Sequence, residues 1–423
     1  MKKAVWGSII VYVLFSLVMC LYIYQWADTT IPDVYKGTSA DPATFMNDQE
    51  LLLSEDFSKI RNALYFITTP FEWLLLFILL GVGLSKKFQN WSVGTVKFQS
   101  LQVLIYLFWL TLFTTILSFP FKLYGYNLSK EYGISVQPFQ GWMKDYLLDF
   151  WINFFITGII VIVLYSLIRR SPKRWWLYAW ILSVPFTLFL TFIQPVFIDP
   201  LYNDFYPLKD KELEAQILSL ADEAGIPAEH VYEVNMSEKT NSMNAYVTGI
   251  GGNSRIVLWD TTLNKLKDSE VLFIMAHEMG HYVKKHVFLS IIGSMFVTLA
   301  GLYLIYKLMN VIIRRWGDKF KIGEVQEMAS IPLFFLLLSV LSFLFTPISN
   351  TVSRAHELEA DSYAVELTED PTSAVGSFQE LAKSNLSQIN PPLIVKIFRY
   401  THPTMLERIH YLENYELKEI EKK

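Results

Sequence analysis

The chain has 423 residues, of which 52% are hydrophobic and 16% aromatic, and its mean hydropathy is +0.30. This composition is too apolar for an ordinary soluble protein and predicts an integral, multi-pass membrane protein. The net charge is only -4 and no Lys/Arg-rich arm is present, which argues against nucleic-acid binding. The single cysteine, Cys20, excludes an intramolecular disulfide and disfavours a cysteine-based metal site.

Seven apolar stretches each approach the roughly 20 residues that a helix needs to cross the hydrocarbon core. The first follows Lys2 and Lys3, but it is too long for a cleaved signal peptide, so we expect it to be retained. Asp28 to Glu55 and Phe121 to Asp149 are predicted to be polar loops. The predicted spans are Val5 to Tyr24, Phe66 to Leu84, Leu101 to Pro120, Ile152 to Ile168, Trp175 to Phe197, Val287 to Met309 and Ile331 to Ile348.

These spans divide the chain into four predicted parts. Residues 1–197 carry the first five membrane helices with polar loops, and residues 198–286 form a soluble catalytic segment. Residues 287–350 contain membrane helices six and seven, and residues 351–423 form a C-terminal helical segment that carries a metal ligand. The predicted fold is therefore mainly α-helical and polytopic, with about seven transmembrane helices and a small α+β domain.

The soluble segment mixes helical and strand patterns. Lys211 to Ala224 has helical periodicity and ends at a Gly-Ile-Pro sequence, and His230 to Val234 is a strand candidate. Asn244 to Thr248 and Arg255 to Leu258 flank a glycine-rich connection, residues 249–253, which is typical of a β-hairpin. Such a hairpin can offer an edge strand to an extended peptide.

The next helix contains an H-E-x-x-H motif that begins at His277 and ends at His281. Residues four apart share a helical face, so the two imidazoles can bind one metal ion. Glu278 then lies beside the ion, where its carboxylate can accept a proton from metal-activated water and pass it to the leaving amine. The motif predicts zinc-dependent hydrolysis of peptide bonds without a protein nucleophile.

Asp268 or Ser269 is expected to cap this helix. The apolar pattern continues through the motif into the sixth span, which begins at Val287, about 9 Å beyond His281 along one continuous helix. The metal is therefore expected at, or just inside, the membrane surface. His286 would lie about 140° around that helix from His281, which excludes it as a ligand.

A third ligand is expected in the segment from Ser353 to Asp361, which continues from the seventh span toward the same side. Glu357 and Asp361 share a helical face, which gives one ligand carboxylate and a second carboxylate able to orient an imidazole. Glu359 and His356 are expected to point elsewhere, so Glu357 is the preferred ligand. Two histidines and one glutamate form a known catalytic zinc set with an open position for water.

With these motifs in place, the chain resembles the type I CaaX prenyl protease family, integral-membrane zinc metallopeptidases that process prenylated protein C-termini. The resemblance spans nearly the whole chain. It is carried by the H-E-x-x-H motif with His286, by Ser353 and Arg354 through Glu357, Ala360 and Asp361, by Asn241 to Tyr246, by Thr401 to Pro403 with Glu407 and Arg408, by Gly133 with Gly141 to Asp145, and by Pro195 to Tyr206.

The resemblance implies seven transmembrane helices that enclose a large chamber, together with a gluzincin-like catalytic domain. It implies one zinc ion per chain, held by His277, His281 and Glu357. It also implies that Glu278 is the catalytic base.

The same resemblance implies that Asn244 and Ala245 lie on the substrate-binding edge strand. Asp361 matches a residue that is often given a catalytic or proton-donor role, although its position one turn beyond a ligand favours orientation of an imidazole. His402 matches a histidine that could donate to the developing oxyanion, and a purely structural role stays open. Arg408 is expected to pair with a nearby carboxylate.

Asp260 to Asp268 forms a compact connection where eukaryotic relatives carry a charged insertion, which favours a protein of the bacterial cell membrane, in contact with lipids. The expected substrate is a peptide or protein that is prenylated or membrane-associated. Most bacteria lack protein prenylation, so cleavage of small or damaged membrane proteins is an alternative. The positive-inside rule places the catalytic face outside, whereas the eukaryotic relatives face the cytosol, and the orientation stays open.

Two non-catalytic functions are alternatives. A transporter or receptor with a structural metal would need a closed site with a further His or Cys ligand, which the sequence does not offer. A scaffold that binds lipidated proteins would not need Glu278.

Overall fold

The structure is a computed structural model that describes residues 1–248 and 255–415, without the side chains of residues 192, 193, 196 and 248. Its N-terminal helices are α1 (Lys2–Leu21), α2 (Asp48–Gly81), α3 (Leu84–Thr95), α4 (Gln99–Glu131), α5 (Phe139–Arg170) and α6 (Trp175–Ile193). The middle of the chain contains β1 (Phe205–Pro207), α7 (Lys211–Glu223), β2 (Val231–Val234), β3 (Ala245–Thr248), β4 (Arg255–Trp259), α8 (Asp260–Lys265) and α9 (Asp268–Val283). The remaining helices are α10 (His286–Phe320), α11 (Ile331–Thr368), α12 (Pro371–Ser384), α13 (Leu393–Arg399) and α14 (Met405–Glu413).

Six helical segments among the described residues are long and apolar enough to cross a membrane, and they contain α1, α2, α4, α5, α10 and α11. Six of the seven predicted spans coincide with these segments, although the second passes the end of α2 by three residues. The fifth predicted span begins with α6, a shorter apolar helix, and passes its end by four residues. The sequence pattern therefore located all of the long apolar helices.

The membrane helices run well beyond the predicted spans. α2 has 34 residues and α4 has 33, which corresponds to about 50 Å against a hydrocarbon core of about 30 Å. The prediction of a polar loop from Phe121 to Asp149 is wrong, because α4 and α5 occupy most of that range. The predicted loop from Asp28 to Glu55 is wrong at its end, where a capping box between Asn47 and Glu50 starts α2.

A four-stranded sheet has the order β1-β2-β4-β3. β2 and β4 are parallel, whereas β3 and β4 are antiparallel, with Ala245 opposite Leu258 and Thr248 opposite Arg255. The predicted antiparallel pair is thus confirmed, and its glycine-rich connection lies outside the described residues. β3 is one of the two edge strands of the described sheet, so one side of its backbone is free of strand pairing.

Two of the three hydrophobic clusters among the described residues form the cores of different parts of the fold. One lies in the catalytic domain, between α7, the sheet, α9, α12 and α14, and the other lies among the membrane helices. Around the H-E-x-x-H motif, α9 contributes four completely buried side chains to the first core: Phe273, Met275, Ala276 and Met279. The helix that carries the motif is therefore held rigidly by its packing.

The start of α9 differs from the prediction. Lys267 is its N-cap, rather than Asp268 or Ser269. The carboxylate of Glu270, in the first turn, accepts a hydrogen bond from the Lys267 backbone N–H at 2.9 Å. The acidic residue of the first turn thereby satisfies the backbone amide of the N-cap residue, which is one half of a capping box.

The prediction of one continuous helix from the motif into the membrane is wrong. α9 ends at Val283, and Lys285 has a φ of 59° in the left-handed region before α10 begins at His286. No glycine or proline marks this break, and a lysine in that conformation costs on the order of 1–2 kcal/mol. The direction of His286 therefore does not follow from the helical period of α9.

α9 and α11 approach each other closely at Gly280, the fourth residue of the motif. A Cβ atom on Gly280 would lie 3.2 Å from the Ala360 Cα atom and 3.3 Å from its carbonyl oxygen. Such contacts are tighter than ordinary van der Waals packing, so the absence of a side chain sets the spacing of the two helices.

We expect Gly280→Ala to shift α11 away from α9 by a few tenths of an ångström and to lower both thermal stability and affinity for metal. Gly293→Ala in α10 is the matched control, because a Cβ there meets nothing within 4 Å. Alanine favours a helix by about 1 kcal/mol over glycine, so the control should be neutral or stabilising. Thermal melts and metal titrations check this, and equal behaviour of the two variants would contradict the role of Gly280.

Candidate active site

Two histidines of α9 and one glutamate of α11 converge on a common point. The Nε2 atoms of His277 and His281 are 3.2 Å apart. Nε2 of His277 lies 3.3 Å from Oε2 of Glu357, and Nε2 of His281 lies 3.4 Å from its Oε1. A tetrahedron with metal bonds of 2.0–2.1 Å has edges of about 3.3–3.4 Å. The three residues could therefore hold one metal ion.

Burial of the glutamate supports a cation as its partner. Glu357 is only 6% exposed, and its Oε2 atom is buried without a hydrogen bond from any described residue. The nearby Nε2 of His277 is within ion-pair distance but is not aligned for a hydrogen bond. An unsatisfied buried acceptor costs about 1–3 kcal/mol, more when it is charged, so the donor set fits a metal ion.

Asp361 fixes the orientation of the first imidazole. Its Oδ1 lies 2.8 Å from Nδ1 of His277, which leaves Nε2 of the ring facing Glu357. Arg408 holds this carboxylate in a two-point contact, with Nε 2.9 Å from Oδ2 and Nη2 2.6 Å from Oδ1. The expected pairing of Arg408 with a carboxylate is confirmed, and its guanidinium lies 3.9 Å from the ring centre of Phe378.

The charge state of His277 reflects these neighbours. Burial lowers the pKa of the imidazole, but the close contacts with the carboxylates of Asp361 and Glu357 outweigh it and raise the pKa to about 9. Metal binding at His277 therefore competes with protonation of the ring.

The helix break brings His286 against the second imidazole. Nδ1 of His286 lies 2.9 Å from Nδ1 of His281, and Nε2 of His286 lies 3.1 Å from Oε2 of Glu359. His356 stacks on His286, with ring centres 4.2 Å apart. With Nε2 of His281 turned to the metal position, its Nδ1–H donates to His286, which in turn donates to Glu359.

Sequence reasoning missed these contacts because it treated α9 as continuous. His286 lies beside the candidate ligand His281 but does not belong to the group of three candidate ligands. Its ring also contacts Glu359 and His356. The Lys284–Lys285 turn that redirects the chain carries no recognisable sequence signal.

A cavity of about 380 Å³ opens beside the cluster, and we call it the site cavity; its walls include Asn244, Ala245, His277, Glu278 and His402. Burial raises the pKa of Glu278. Nε2 of His402 lies 3.4 Å from Oε1 of Glu357, and its half-exposed side chain faces the cavity. Desolvation within the protein lowers the pKa of His402. Both side chains therefore stand where a substrate in the cavity would meet them.

The start of the edge strand borders the same cavity. The Asn244 carbonyl accepts a hydrogen bond from the backbone N–H of Trp259 at 3.1 Å, so the ladder continues one residue before β3. The next backbone N–H, that of Ala245, donates to Oδ1 of Asn244 at 3.0 Å. Asn241 anchors the approach to the strand, because its Nδ2 donates to the Gly133 carbonyl at 2.7 Å.

Two further cavities lie among the membrane helices, with volumes of about 460 Å³ and 580 Å³. The site cavity and the first membrane cavity share Arg61 as a wall residue. The two membrane cavities share Glu72, Ser118 and Lys122. A series of adjoining cavities therefore extends from the candidate metal site into the membrane domain.

Comparison with known proteins agrees with this architecture. Residues 207–416 match the family model for peptidase family M48. Residues 28–204 match a second family model, which is described as the N-terminal part of CAAX prenyl proteases with five membrane helices. The chain is 54% identical to the uncharacterized metalloprotease YhfN of Bacillus subtilis over 98% of both chains. It is 29% identical to CAAX prenyl protease 1 of Saccharomyces cerevisiae, with 81% of this chain and 78% of that protein aligned.

The fold also matches a solved structure. The crystal structure of Ste24p from S. mikatae is similar with a TM-score of 0.79 and 26% sequence identity, over 96% of each chain. The predicted fold class is therefore confirmed: a small α+β peptidase domain joined to a helical, chamber-forming membrane domain, in an integral membrane protein.

We expect His286→Ala to lower metal affinity about 10- to 100-fold, because loss of an outer hydrogen-bond partner frees the His281 ring. His286→Asn should restore much of the affinity, since its Oδ1 replaces the acceptor Nδ1. Competition with a chromogenic chelator measures the affinity. The exposed His230 provides the control variant His230→Ala, and equal affinities of all three variants would refute the contact's role.

Proposed function

Because the chain belongs to peptidase family M48 and is therefore a metallopeptidase, we propose that its metal is a single zinc ion held by His277, His281 and Glu357. The near-tetrahedral spacing of the three ligand atoms carries this proposal. A His₂Glu set leaves one coordination position open, as catalytic zinc requires. A zinc ion bound there would polarise the scissile carbonyl and lower the pKa of a water molecule.

In this proposal the protein supplies the proton transfers. Glu278 takes a proton from the attacking water as the new C–O bond forms, and it delivers that proton to the amine when the C–N bond breaks. The burial that raises the pKa of Glu278 makes its carboxylate a stronger base. We assign His402 to hydrogen bonding with the developing oxyanion, and Asp361 with Arg408 to holding His277 in place.

The proposed substrate is an extended peptide of a membrane-associated protein, bound as an additional strand along β3 with Asn244 and Ala245 at its edge. The free side of β3 and its position on the site cavity support this pairing. The relatives named CAAX prenyl proteases support a prenylated substrate, whose lipid would occupy the cavities among the membrane helices.

A second candidate is a quality-control protease that cleaves small or damaged membrane proteins without a prenyl requirement. The 54% identity with a Bacillus subtilis protein favours it, because it supports a location in a bacterial cell membrane, where protein prenylation is generally lacking.

We expect Glu278→Gln to retain one metal ion per chain and to lose at least about 10²-fold in peptide hydrolysis, since the amide cannot act as a base. Atomic emission gives the metal content, and an internally quenched peptide gives the rate. Glu212→Gln, at an exposed position in α7, is the control and should keep full activity. Full activity of Glu278→Gln would refute the mechanism.

A second experiment separates the two substrate classes. We expect the purified protein to cleave a farnesylated CaaX peptide faster than its unprenylated twin, with both reactions abolished by a zinc chelator. The expected cause is the pair of cavities among the membrane helices that adjoins the site cavity and could hold the lipid. Equal rates for the two peptides would refute prenyl recognition and favour the quality-control function.

A further inference from the structure

The edge strand β3 is reached through residues 239–244, which lie outside the helices and strands and which we call the approach segment. The connection between α4 and α5, residues 132–138, belongs to the membrane domain and runs beside this segment. Ser135 and Thr240 pair there as an isolated antiparallel bridge. The membrane domain therefore contacts the catalytic domain five residues before β3 begins.

Two backbone hydrogen bonds flank this bridge. The Asn241 N–H donates to the Ile134 carbonyl at 2.9 Å, and the Val136 N–H donates to the Lys239 carbonyl at 3.0 Å. Thr240 adds a side-chain bond, because its Oγ1 also donates to the Ile134 carbonyl at 2.9 Å. Backbone bonds between antiparallel segments fix which residues lie opposite each other. The approach segment is therefore held in one register against the α4–α5 connection.

Lys239 also joins the approach segment to α5. Its Nζ lies 2.7 Å from Oδ2 of Asp145, near the start of α5, and donates to the Tyr202 carbonyl at 2.7 Å as well. Gln137 of the α4–α5 connection donates through Nε2 to the same Asp145 oxygen at 2.8 Å. The two charged side chains, which we call the latch pair, are only 22% and 24% exposed, so water screens their attraction incompletely.

The rest of the approach segment is bonded to the catalytic domain. The Ser242 carbonyl accepts a hydrogen bond from Oγ1 of Thr261 at 2.7 Å, and the Met243 N–H donates to Oδ1 of Asn385 at 3.1 Å. Each residue from 239 to 243 thus has a bond to another part of the fold. A segment with so many partners is ordered although it has no regular structure, and this order fixes where β3 begins.

The latch pair itself stands apart from the site cavity. Lys239 and Asp145 line a different cavity of about 290 Å³, and the walls of the site cavity, as far as the structure describes them, include neither residue. Asn244, the last residue of the approach segment, does line the site cavity. The latch pair can therefore affect a substrate only through the approach segment.

We propose that Lys239 and Asp145 are positioning residues, which hold the start of the edge strand in the conformation that pairs with a peptide. This inference rests on the proposed function, because that function assigns the peptide to β3. An edge that is already ordered loses little conformational entropy when a peptide binds, whereas a loosened edge must first be ordered. Loss of the latch pair therefore weakens peptide binding and leaves the proton transfers at Glu278 intact.

Steady-state cleavage of the internally quenched peptide tests the proposal. We expect Lys239→Met and Asp145→Asn each to raise KM at least about fivefold, while kcat and metal content stay within about twofold of the wild type. The double variant should be no worse than either single variant, because both remove one contact. Lys239→Arg should keep most of the affinity. Lys86→Met is the matched control, since Lys86 forms an ion pair of similar exposure with Glu327 outside the catalytic domain, and its KM should be unaltered.

A covalent link tests whether the latch pair acts by position rather than by charge. Opposite residues of an antiparallel pair have Cα atoms about 4.5–5.5 Å apart, a distance that a disulfide can span. In a Cys20→Ser, Lys239→Met background, Ser135→Cys combined with Thr240→Cys should return KM to near the wild-type value after oxidation with diamide. Reduction should raise KM again, and Ser135→Cys alone is the control that oxidation should not change.

Three results would overturn the proposal. These are an unchanged KM in Lys239→Met and Asp145→Asn, a KM that stays high after oxidation, and a loss of kcat and metal content at unchanged KM, which would assign the latch pair to folding of the metal site. Hydrogen exchange of the backbone amides of residues 240–247 is measured in parallel and should be faster in Lys239→Met than in Lys86→Met. Faster exchange in a protein that cleaves no peptide would refute the proposed function and leave the ordering of the approach segment established.

Discussion

The contact between α9 and α11 at Gly280 is the constraint on which the candidate metal site, formed by His277, His281 and Glu357, depends. α9 carries both imidazoles, and α11 carries the carboxylates of Glu357 and Asp361. The spacing of the two helices therefore determines how far the imidazoles lie from the carboxylates. Gly280 lies against the backbone of Ala360, which lies between those two carboxylates in sequence. Met275 and Met279 are completely buried in the core on which α9 packs, so α9 cannot retreat to relieve a clash. Two rigid helices, rather than loops, therefore hold the candidate ligands.

A buried ion pair makes the C-terminal helices part of the same site. Asp361 is completely buried, and removing its charge from water is costly unless its oxygens are fully bonded. Arg408 and His277 together supply those bonds. Arg408 is placed by the capping box that starts α14, in which Thr404 and Glu407 bond each other's backbone amides. If α14 separated from α11, an uncompensated buried carboxylate would remain, at a cost of about 3–5 kcal/mol.

The sequence predicted those parts of the site that depend on a regular local period. Residues four apart on one helix share a face, so the sequence predicted that Glu357 and Asp361 lie on one side of their helix. Both carboxylates contact His277 of the motif in the structure. Alternation around a glycine-rich connection likewise predicted the antiparallel pair of β3 and β4. The contacts that were missed depend on where a helix stops or on residues distant in sequence. His286 reaches His281 only because Lys285 leaves the helical region, and two lysines carry no signal for that turn. The pairing of Ser135 with Thr240 follows from the packing of the membrane domain against the catalytic domain, which no local pattern encodes.

The break at Lys285 also lies between a helix of the catalytic core, α9, and a helix of the membrane core, α10. It lets α9 pack in the catalytic domain while α10 begins in a new direction as a membrane-crossing helix. His286, the first residue of α10, contacts the ring of His281, so the position of a membrane helix bears directly on one candidate ligand. The other imidazole, His277, is held through Asp361 by α14, and Glu357 lies on α11, which itself continues from the membrane. Each candidate ligand is thus fixed by a different element outside α9, and two of those elements cross the membrane. The geometry of the cluster therefore depends on the packing of the membrane domain as much as on the fold of the catalytic domain.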